Sequence, residues 1–197
     1  MKRLIDLVRG WPGKPSHPPL TDASIGAYTV GVAMLVAGKL GLESKQMAYG
    51  SLIALSGGLA LAAPTALTGL LDWLQLERGT PRRTTATIHL LTMVAATLVF
   101  AGAWLAQRPG YVHGKVETLG LALGLVAEAL LTLGGYIGGA LVFGYGVRVV
   151  KRPDAVVADV LVPGRLEPES GAHDAATPAP AATGRSPGQG NQTEVSR

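Results

Sequence analysis

The chain contains no cysteine and few charged or aromatic residues. With no cysteine among its 197 residues, it can form no disulfide and offer no thiolate to zinc, to an iron–sulfur cluster or to a covalently attached c-type haem. Charged residues make up 15% of the chain, against about 25% in typical soluble domains. Phe, Trp and Tyr together make up only 5%. The apolar 48% is therefore mostly small and aliphatic, as in packed membrane helices.

The sequence also lacks the short motifs of soluble enzymes. It contains no HExxH zinc motif, no nucleophile elbow and no dinucleotide-binding fingerprint. A formal charge of +4 would suit nucleic acid if the basic residues formed one stripe, but they are distributed between apolar runs. The sequence therefore argues against nucleic acid as a partner and favours a protein that is not an enzyme.

Four long apolar runs predict four membrane-spanning helices. The 26 residues between Lys45 and Asp72 include no Asp, Glu, Lys or Arg. At about 1.5 Å per residue, such a run is long enough to cross a hydrocarbon core of roughly 30 Å. The predicted spans cover residues 23–42, 48–75, 84–106 and 118–147. The expected fold class is all-α: a polytopic four-helix bundle in the lipid bilayer, formed by residues 15–150.

The segments on either side of the spans differ from them in composition. Residues 1–14 combine basic residues with apolar residues at near-helical spacing, which predicts an amphipathic helix at the membrane interface. Prolines at positions 12, 15, 18 and 19 predict that residues 12–19 are not helical. Residues 151–197 are rich in proline, glycine, serine, threonine and alanine and predict a mostly disordered tail. The aliphatic stretch 155–162 is too short to span a bilayer, and its role stays open.

Lys and Arg are distributed unequally around the four spans. Ten of them fall in the N-terminal segment, the 77–83 loop and the segment after the fourth span, whereas four fall in the segments on the other side. Lys and Arg accumulate in short cytoplasmic segments of membrane proteins. The sequence therefore predicts a bacterial cytoplasmic (inner) membrane protein with both termini in the cytoplasm.

Polar residues lie at a matched depth near one end of the predicted bundle. Asp72 precedes Arg78 by six residues and His89 follows Arg83 by six, so each is expected roughly 9 Å inside the same interface. A carboxylate in hydrocarbon needs a partner, and the candidates for Asp72 are His89, Arg82, Arg83 and His17. The full candidate cluster at this end comprises His17, Asp22, Asp72, His89, Tyr145 and Arg148.

Three interpretations of this cluster stay open. It is either a structural clasp that fastens helix ends or a pocket that accepts protons, binds a quinone or binds a metal of unknown identity, because His and carboxylate can share a proton or a divalent ion. In the third interpretation His89, with His17, holds a b-type haem, whose iron needs ligands from opposite sides. His113 and His173 are expected to be solvated.

Glu128 is the single formal charge in the fourth apolar run. It follows Glu117 by eleven residues, which places it roughly 16 Å from the interface and near the middle of the bilayer. It is expected either to carry a proton or to face other helices, with Thr65, Thr68 or Thr92 as hydrogen-bonding partner. The functional alternative is a station on a proton path.

Glycines are expected at the helix contacts, because a missing side chain lets two backbones approach closely. The glycines assigned to this role are Gly57, Gly58, Gly69, Gly134, Gly135, Gly138 and Gly139.

Several short segments, in this order along the chain, resemble a bacterial membrane family catalogued as domain of unknown function 2231. The segments are His17-Pro18, Gly69-Leu70-Leu71-Asp72-Trp73, the polar approach to His89, Gly134-Gly135 and Leu141-Val142-Phe143-Gly144-Tyr145-Gly146. The resemblance covers about residues 15 to 150. It implies a four-span membrane domain without assigned chemistry and points to His17, Asp72 and His89.

Some members of that family resemble fusions to Rieske-type iron–sulfur modules, which implies a redox setting for those relatives. This chain departs from them in having no cysteine. Any electron-transfer partner would therefore be a separate protein.

The resulting functional prediction is a non-enzymatic four-helix membrane module that anchors or assists a redox or envelope partner. Two alternatives stay open. One is a haem- or quinone-binding electron-transfer protein that uses His89 with His17. The other is a proton or ion conduit that uses Glu128 and Asp72.

Overall fold

The computed structural model describes residues 7–11, 13–151, 153–162 and 165, and four long helices dominate this part of the chain. Each of the four is long and apolar enough to cross a membrane, which confirms the predicted all-α membrane fold. The predicted disordered tail lies mostly outside the described residues. The helices are α1 (His17–Lys39), α2 (Ser44–Leu74), α3 (Pro81–His113) and α4 (Thr118–Gly139), which a π-helical turn continues over Ala140–Gly144; a short helix, α5, follows at Val157–Leu161.

The long helices pack as two antiparallel hairpins. Helix α1 packs mainly on α2 and α3 mainly on α4, while the contacts between the two hairpins are less extensive. The start of α1, the turn at 75–80 and the π-helical turn meet at one end of the bundle, called here the N-terminal end. The turns at 40–43 and 114–117 form the opposite end.

The buried apolar core begins below the N-terminal end and continues to the opposite end. The rings of Tyr28 and Phe100 stack in parallel with their centroids 3.9 Å apart. Leu35 and Leu55 are fully buried beside them. The core contains no residue from the first turn of α1 or the last turn of α2. The N-terminal end is therefore held together by other contacts.

The helix ends differ most from the predicted spans at the start of α1 and the end of α3. Helix α1 begins at His17, six residues earlier than predicted, with Pro18 and Pro19 in its first turn. Proline is tolerated there because the first N–H groups of a helix have no partner within it. Helix α3 continues through Pro109 to His113, beyond the predicted end at 106. A charged residue after an apolar run, here Arg108, marks where the helix leaves the hydrocarbon, but the helix itself continues beyond that residue.

The segment before α1 is a short hairpin. Residues 7–9 are helical, and strand β1 (Gly10–Trp11) then pairs antiparallel with strand β2 (Lys14–Pro15). Gly10 directly follows the helix and has a φ of +75°, a left-handed conformation that ends the helix and that glycine adopts without strain. Gly13, in the turn between the strands, has a φ of +73°. The interfacial helix predicted over residues 1–14 therefore ends before Gly10, and its first six residues lie outside the described part of the chain.

A buried glutamine organises the opposite end. Gln107 is fully buried, donates from Nε2 to the carbonyl oxygen of Lys115 over 3.1 Å and accepts from the backbone N–H of Glu117 over 3.0 Å. The Gln107 side chain thus provides hydrogen-bond partners for backbone groups in the turn between α3 and α4. Nothing in the pattern of the sequence indicated this role.

Candidate functional site

Asp72 lies at the centre of an ion cluster at the N-terminal end. Its Oδ1 atom is 2.9 Å from both Nε and Nη2 of Arg9 and 3.6 Å from Nε of Arg148. The three side chains are 12%, 13% and 19% exposed for Arg9, Asp72 and Arg148 respectively, so the cluster is largely removed from solvent. We call these three residues the arginine cluster.

The partners of Asp72 differ from those predicted. Within the described residues Asp72 forms ion pairs with Arg9 and Arg148 and with none of the predicted candidates, which were His89, Arg82, Arg83 and His17. Arg9 is 63 residues away in sequence and belongs to the segment interpreted as an interfacial helix. The spacing of polar residues on α2 and α3 did not indicate Arg9 as a partner of Asp72.

Arg148 ties the segment after α4 to the N-terminal hairpin. Its Nη2 atom donates to the carbonyl oxygens of Arg9, at 2.9 Å, and of Gly10, at 2.7 Å. Arg148 has a φ of +62°, a left-handed conformation that is uncommon outside glycine. Such strain persists where surrounding contacts fix the residue.

Arg83 has a structural role next to the cluster. Its Nη1 atom donates to the carbonyl oxygens of Trp73, at 3.2 Å, and Leu76, at 2.6 Å. Its guanidinium also lies 4.0 Å from the centre of the Trp73 ring. Arg83 therefore caps the C-terminal end of α2, where helix carbonyls otherwise lack partners.

His17 packs on α2 beside the arginine cluster. Its Nδ1 atom is 3.0 Å from the carbonyl oxygen of Thr65 and 3.3 Å from the hydroxyl of Thr68. The ring lies against Gly69, where an added Cβ would come within 2.7 Å of Cε1. Asp72 is close enough to His17 to interact with it electrostatically.

His89 has the corresponding position in the second hairpin. Its Nδ1 atom is 2.8 Å from the carbonyl oxygen of Gly134. The ring lies against Gly138, where an added Cβ would come within 3.0 Å of Cε1. His17 and His89 are close enough to interact electrostatically. The N-terminal end therefore brings together one imidazole from each hairpin.

The hydrogen bonds of the two histidines determine which ring nitrogen carries the hydrogen. A carbonyl oxygen only accepts, so the Nδ1 atoms of both His17 and His89 are the donors. In a neutral imidazole the Nε2 atom then holds a lone pair. For His17 that atom is 3.4 Å from the hydroxyl oxygen of Thr21, whose single hydrogen is donated to the carbonyl oxygen of His17 over 2.9 Å.

Two predicted members of the cluster lie at its edge. Asp22 is exposed on α1 and has no polar contact among the described residues. Tyr145 is 43% exposed, and its hydroxyl accepts a long hydrogen bond of 3.5 Å from Thr85. The predicted cluster therefore reduces to His17, Asp72, His89 and Arg148, with Arg9 added.

Glu128 joins α4 to α1 away from this cluster. Its Oε1 atom accepts a 2.8 Å hydrogen bond from Thr29, and its buried Oε2 atom has no partner within the described residues. The predicted partners were wrong, because the hydroxyls of Thr65, Thr68 and Thr92 each bond to carbonyl oxygens of their own helices. No contact among the described residues links Glu128 to Asp72.

Neighbouring glycines differ in what they contact. A Cβ added to Gly58 would lie 2.6 Å from the Tyr28 ring, and one added to Gly134 would collide with Met93. Gly57 and Gly135 have no atom within 4 Å of that position, and Gly139 meets only Phe143, at 4.0 Å. Adjacent residues on a helix point about 100° apart. The expected packing role therefore applies to one glycine of each pair, and Gly57 and Gly135 have none.

The described residues contain no group of three or more His, Cys, Asp or Glu side chains able to hold a metal ion. A metal site built on the two imidazoles would need its remaining ligands from outside these side chains.

Comparison with known proteins identifies the family to which the chain belongs. A family model described as "Predicted membrane protein (DUF2231)" matches residues 13–151. Neither the curated proteins nor the solved structures include a match. The matched region includes all four long helices and both histidines of the N-terminal end. The chain therefore belongs to this family of predicted membrane proteins, domain of unknown function 2231.

Proposed function

We propose that the chain binds a b-type haem between His17 and His89 and acts as a membrane-embedded electron-transfer module for a separate redox protein. The observation that carries the proposal is the shared hydrogen bonding of the two rings. Each donates from Nδ1 to a backbone carbonyl, Thr65 for His17 and Gly134 for His89. Metal-ligating histidines are typically oriented in this way, with the other nitrogen directed to the metal.

The surroundings of the two rings fit a haem. The imidazoles come from different helical hairpins at the same end of the bundle, and both rings are seated on glycines, Gly69 and Gly138. The apolar core does not extend to this level. A b-type haem is held without covalent thioether bonds, which suits a chain without cysteine.

A haem with two histidine ligands supplies one-electron transfer when bound. The contribution of the chain is to hold both rings in one orientation before the haem arrives. The carbonyls of Thr65 and Gly134 fix the Nδ1 atoms, and the glycines fix the distance of each ring from the helix behind it.

The proposal is tested by the absorption spectrum of the purified protein after reconstitution with haem. We expect a Soret band and a reduced-minus-oxidised α-band, both lost in His17→Ala and His89→Ala. His113→Ala is the matched control, because His113 is exposed at the opposite end and should leave the spectrum unchanged. A colourless reconstituted protein, or bands that survive both alanine substitutions, would refute the proposal.

A cofactor-free module that anchors a redox or envelope partner is the second candidate. The observation that favours it is the arginine cluster, in which Asp72 already has two cationic partners and can serve as a clasp between helix ends. In this case the same reconstitution leaves the protein colourless, while affinity purification from the native membrane recovers a partner. A conduit through Glu128 and Asp72 gains no support, since no contact among the described residues links them.

We propose that the N-terminal end faces the cytoplasm of a bacterium. The ten-to-four distribution of Lys and Arg supports this orientation. Because the chain has no native cysteine, single substitutions such as Glu77→Cys and Leu42→Cys report their side unambiguously. An impermeant thiol reagent added to intact cells should label Leu42→Cys and spare Glu77→Cys. The reverse pattern would overturn the orientation.

A further inference from the structure

We propose that the surface between α2 and α3, at the opposite end of the bundle, binds an anionic phospholipid through its phosphate group. The proposal rests on the four membrane-spanning helices and does not depend on a haem. Two exposed cations lie at this surface, Lys45 in the first turn of α2 and Arg108 near the end of α3. Neither forms an ion pair within the part of the chain that the structure describes.

A pair of tyrosines joins the two helices between these cations. The rings of Tyr49 and Tyr111 stack with their centroids 5.0 Å apart, and each side chain is almost half exposed. Lys45 precedes Tyr49 by four residues and Arg108 precedes Tyr111 by three. Residues at these spacings are neighbours on one face of a helix. The cations therefore flank the tyrosine pair, with Lys45 nearer the end of the bundle and Arg108 nearer its middle.

Arg108 lies over an aromatic ring but lacks an anion. The carbon of its guanidinium is 5.2 Å from the centre of the Trp104 ring, and Trp104 donates from Nε1 to the hydroxyl of Ser56 over 2.8 Å. The ring attracts the cation but accepts none of its N–H hydrogens in a conventional hydrogen bond. The predicted third span ends at residue 106, so Arg108 lies where the lipid headgroups begin. A phosphate at that level supplies the anion.

Lys45 extends toward the turn that follows α3. A Cβ added to Gly114 would lie 3.2 Å from Cγ of Lys45, so the aliphatic part of the lysine packs on that glycine. Long basic side chains cover apolar surface in this way while the charged group stays in the polar layer. Within the described residues the nearby acids do not pair with it, since Glu117 lies 3.6 Å from Lys115 and Glu43 forms no ion pair.

The composition of this end favours an anionic ligand. Residues 39–45 and 108–117 contain four Lys or Arg and two Glu, an excess of two positive charges. Basic pockets between membrane helices bind the headgroups of anionic lipids.

The neighbouring side chains favour a lipid as the source of the phosphate. Tyrosine and tryptophan are enriched at the membrane–water interface because their rings are amphipathic. One turn deeper than Tyr49 and Arg108, Ile53 and Leu105 are each more than half exposed. The surface therefore offers apolar contacts for acyl chains next to cations for a phosphate, which is the arrangement of groups in a phospholipid.

The test measures which lipids lie beside Trp104. The chain has three tryptophans, so Trp11→Phe with Trp73→Phe leaves Trp104 as the single reporter. This protein is placed in vesicles of phosphatidylglycerol and phosphatidylcholine, with brominated chains on one lipid at a time. Bromine quenches the indole fluorescence, which gives the ratio of the two association constants. We expect a preference of about fivefold for phosphatidylglycerol, the effect of about one cation near the lipid surface.

Substitutions then assign the preference to the two cations. Arg108→Gln and Lys45→Gln should each lower the ratio, and together they should bring it close to one. Lys115→Gln is the matched control at the same end, because Lys115 already pairs with Glu117, and it should keep the preference. The ratio cancels differences in the fluorescence of the variants. A ratio near one in the reporter protein, or a preference that survives the double substitution, would overturn the proposal.

Thermal unfolding gives a second readout with all three tryptophans in place. In detergent, added phosphatidylglycerol should raise the unfolding temperature of the full-length protein more than added phosphatidylcholine. The difference should disappear when Lys45 and Arg108 are both replaced by glutamine. Equal shifts with the two lipids would contradict a site for an anionic headgroup.

Discussion

The two halves of the bundle join their helices by different means. Toward the opposite end, apolar side chains such as the stacked Tyr28 and Phe100 fill a buried core. At the N-terminal end the contacts are directional: an ion cluster around Asp72 and two imidazoles bonded to carbonyls. Apolar packing tolerates many sequences of similar volume, whereas a satisfied polar network specifies one arrangement. Volume-filling apolar packing and directional polar contacts are therefore assigned to separate halves of the bundle.

The largest expected effect is that of Phe100→Ala, which removes a fully buried ring stacked on Tyr28. The resulting cavity should lower the free energy of unfolding by about 3 kcal/mol or more, measured by denaturant titration in detergent. The chain has one other phenylalanine, Phe143, which is 90% exposed, and Phe143→Ala should cost less than about 0.5 kcal/mol. Equal losses would break the assignment of stability to the packed half.

Gly58→Ala tests the same half by overpacking. The added Cβ would lie 2.6 Å from the Tyr28 ring, so the helices must shift, at an expected cost of about 1–3 kcal/mol. Gly57→Ala is the matched control, because its Cβ meets nothing within 4 Å and alanine favours the helix. Thermal unfolding of the two variants should therefore move in opposite directions. A shared decrease would contradict the packing described here.

Gly138→Ala tests the polar half. Its Cβ would lie 3.0 Å from Cε1 of His89, so the ring must move by a few tenths of an ångström. We expect haem affinity to fall several-fold, since ligand geometry depends on small displacements, while the free energy of unfolding changes by less than about 1 kcal/mol. Gly139→Ala is the matched control and should leave haem affinity unchanged, because its Cβ meets only Phe143, at 4.0 Å. Wild-type haem affinity in Gly138→Ala would show that Gly138 is not needed to position the His89 ring.

Thr29→Val has the smallest expected effect. It deletes the donor to Glu128 at the contact between α1 and α4, and interhelical hydrogen bonds in membranes contribute about 0.6 kcal/mol on average. A double-mutant cycle with Glu128→Ala, which removes the acceptor, should yield a coupling of that size. Thr132→Val, whose hydroxyl bonds to the carbonyl of Glu128 within α4, should show no coupling to Thr29. Haem affinity should be unchanged throughout.

The sequence predicted the four spans because lipid imposes a simple rule. Uncharged runs long enough to cross a bilayer must satisfy their backbone groups as helices. The exact helix ends were harder to predict. A helix can include prolines in its first turn, as α1 does, and a charged residue near its end, as α3 does at Arg108. The N-terminal hairpin was missed, since its turn depends on the conformations of Gly10 and Gly13.

The side-chain partners could be predicted less well, because they depend on how each helix is rotated. The sequence predicted Asp72 and His89 at a matched depth from their distances to the charged ends of the spans, and His17 at the same end of the bundle. It did not predict the contacts of Asp72, since Arg9 reaches that residue across 63 residues. Likewise, spacing alone does not distinguish Gly57 from Gly58, although only the second contacts Tyr28.

The bond from Arg148 to the carbonyl of Arg9 spans 139 residues. One of the last groups of the bundle to be synthesised thus completes a contact with one of the first. Contacts of such large sequence separation form late in folding. The contact that joins the two ends of the bundle sequence can therefore form only after the segment that follows the fourth helix has been synthesised.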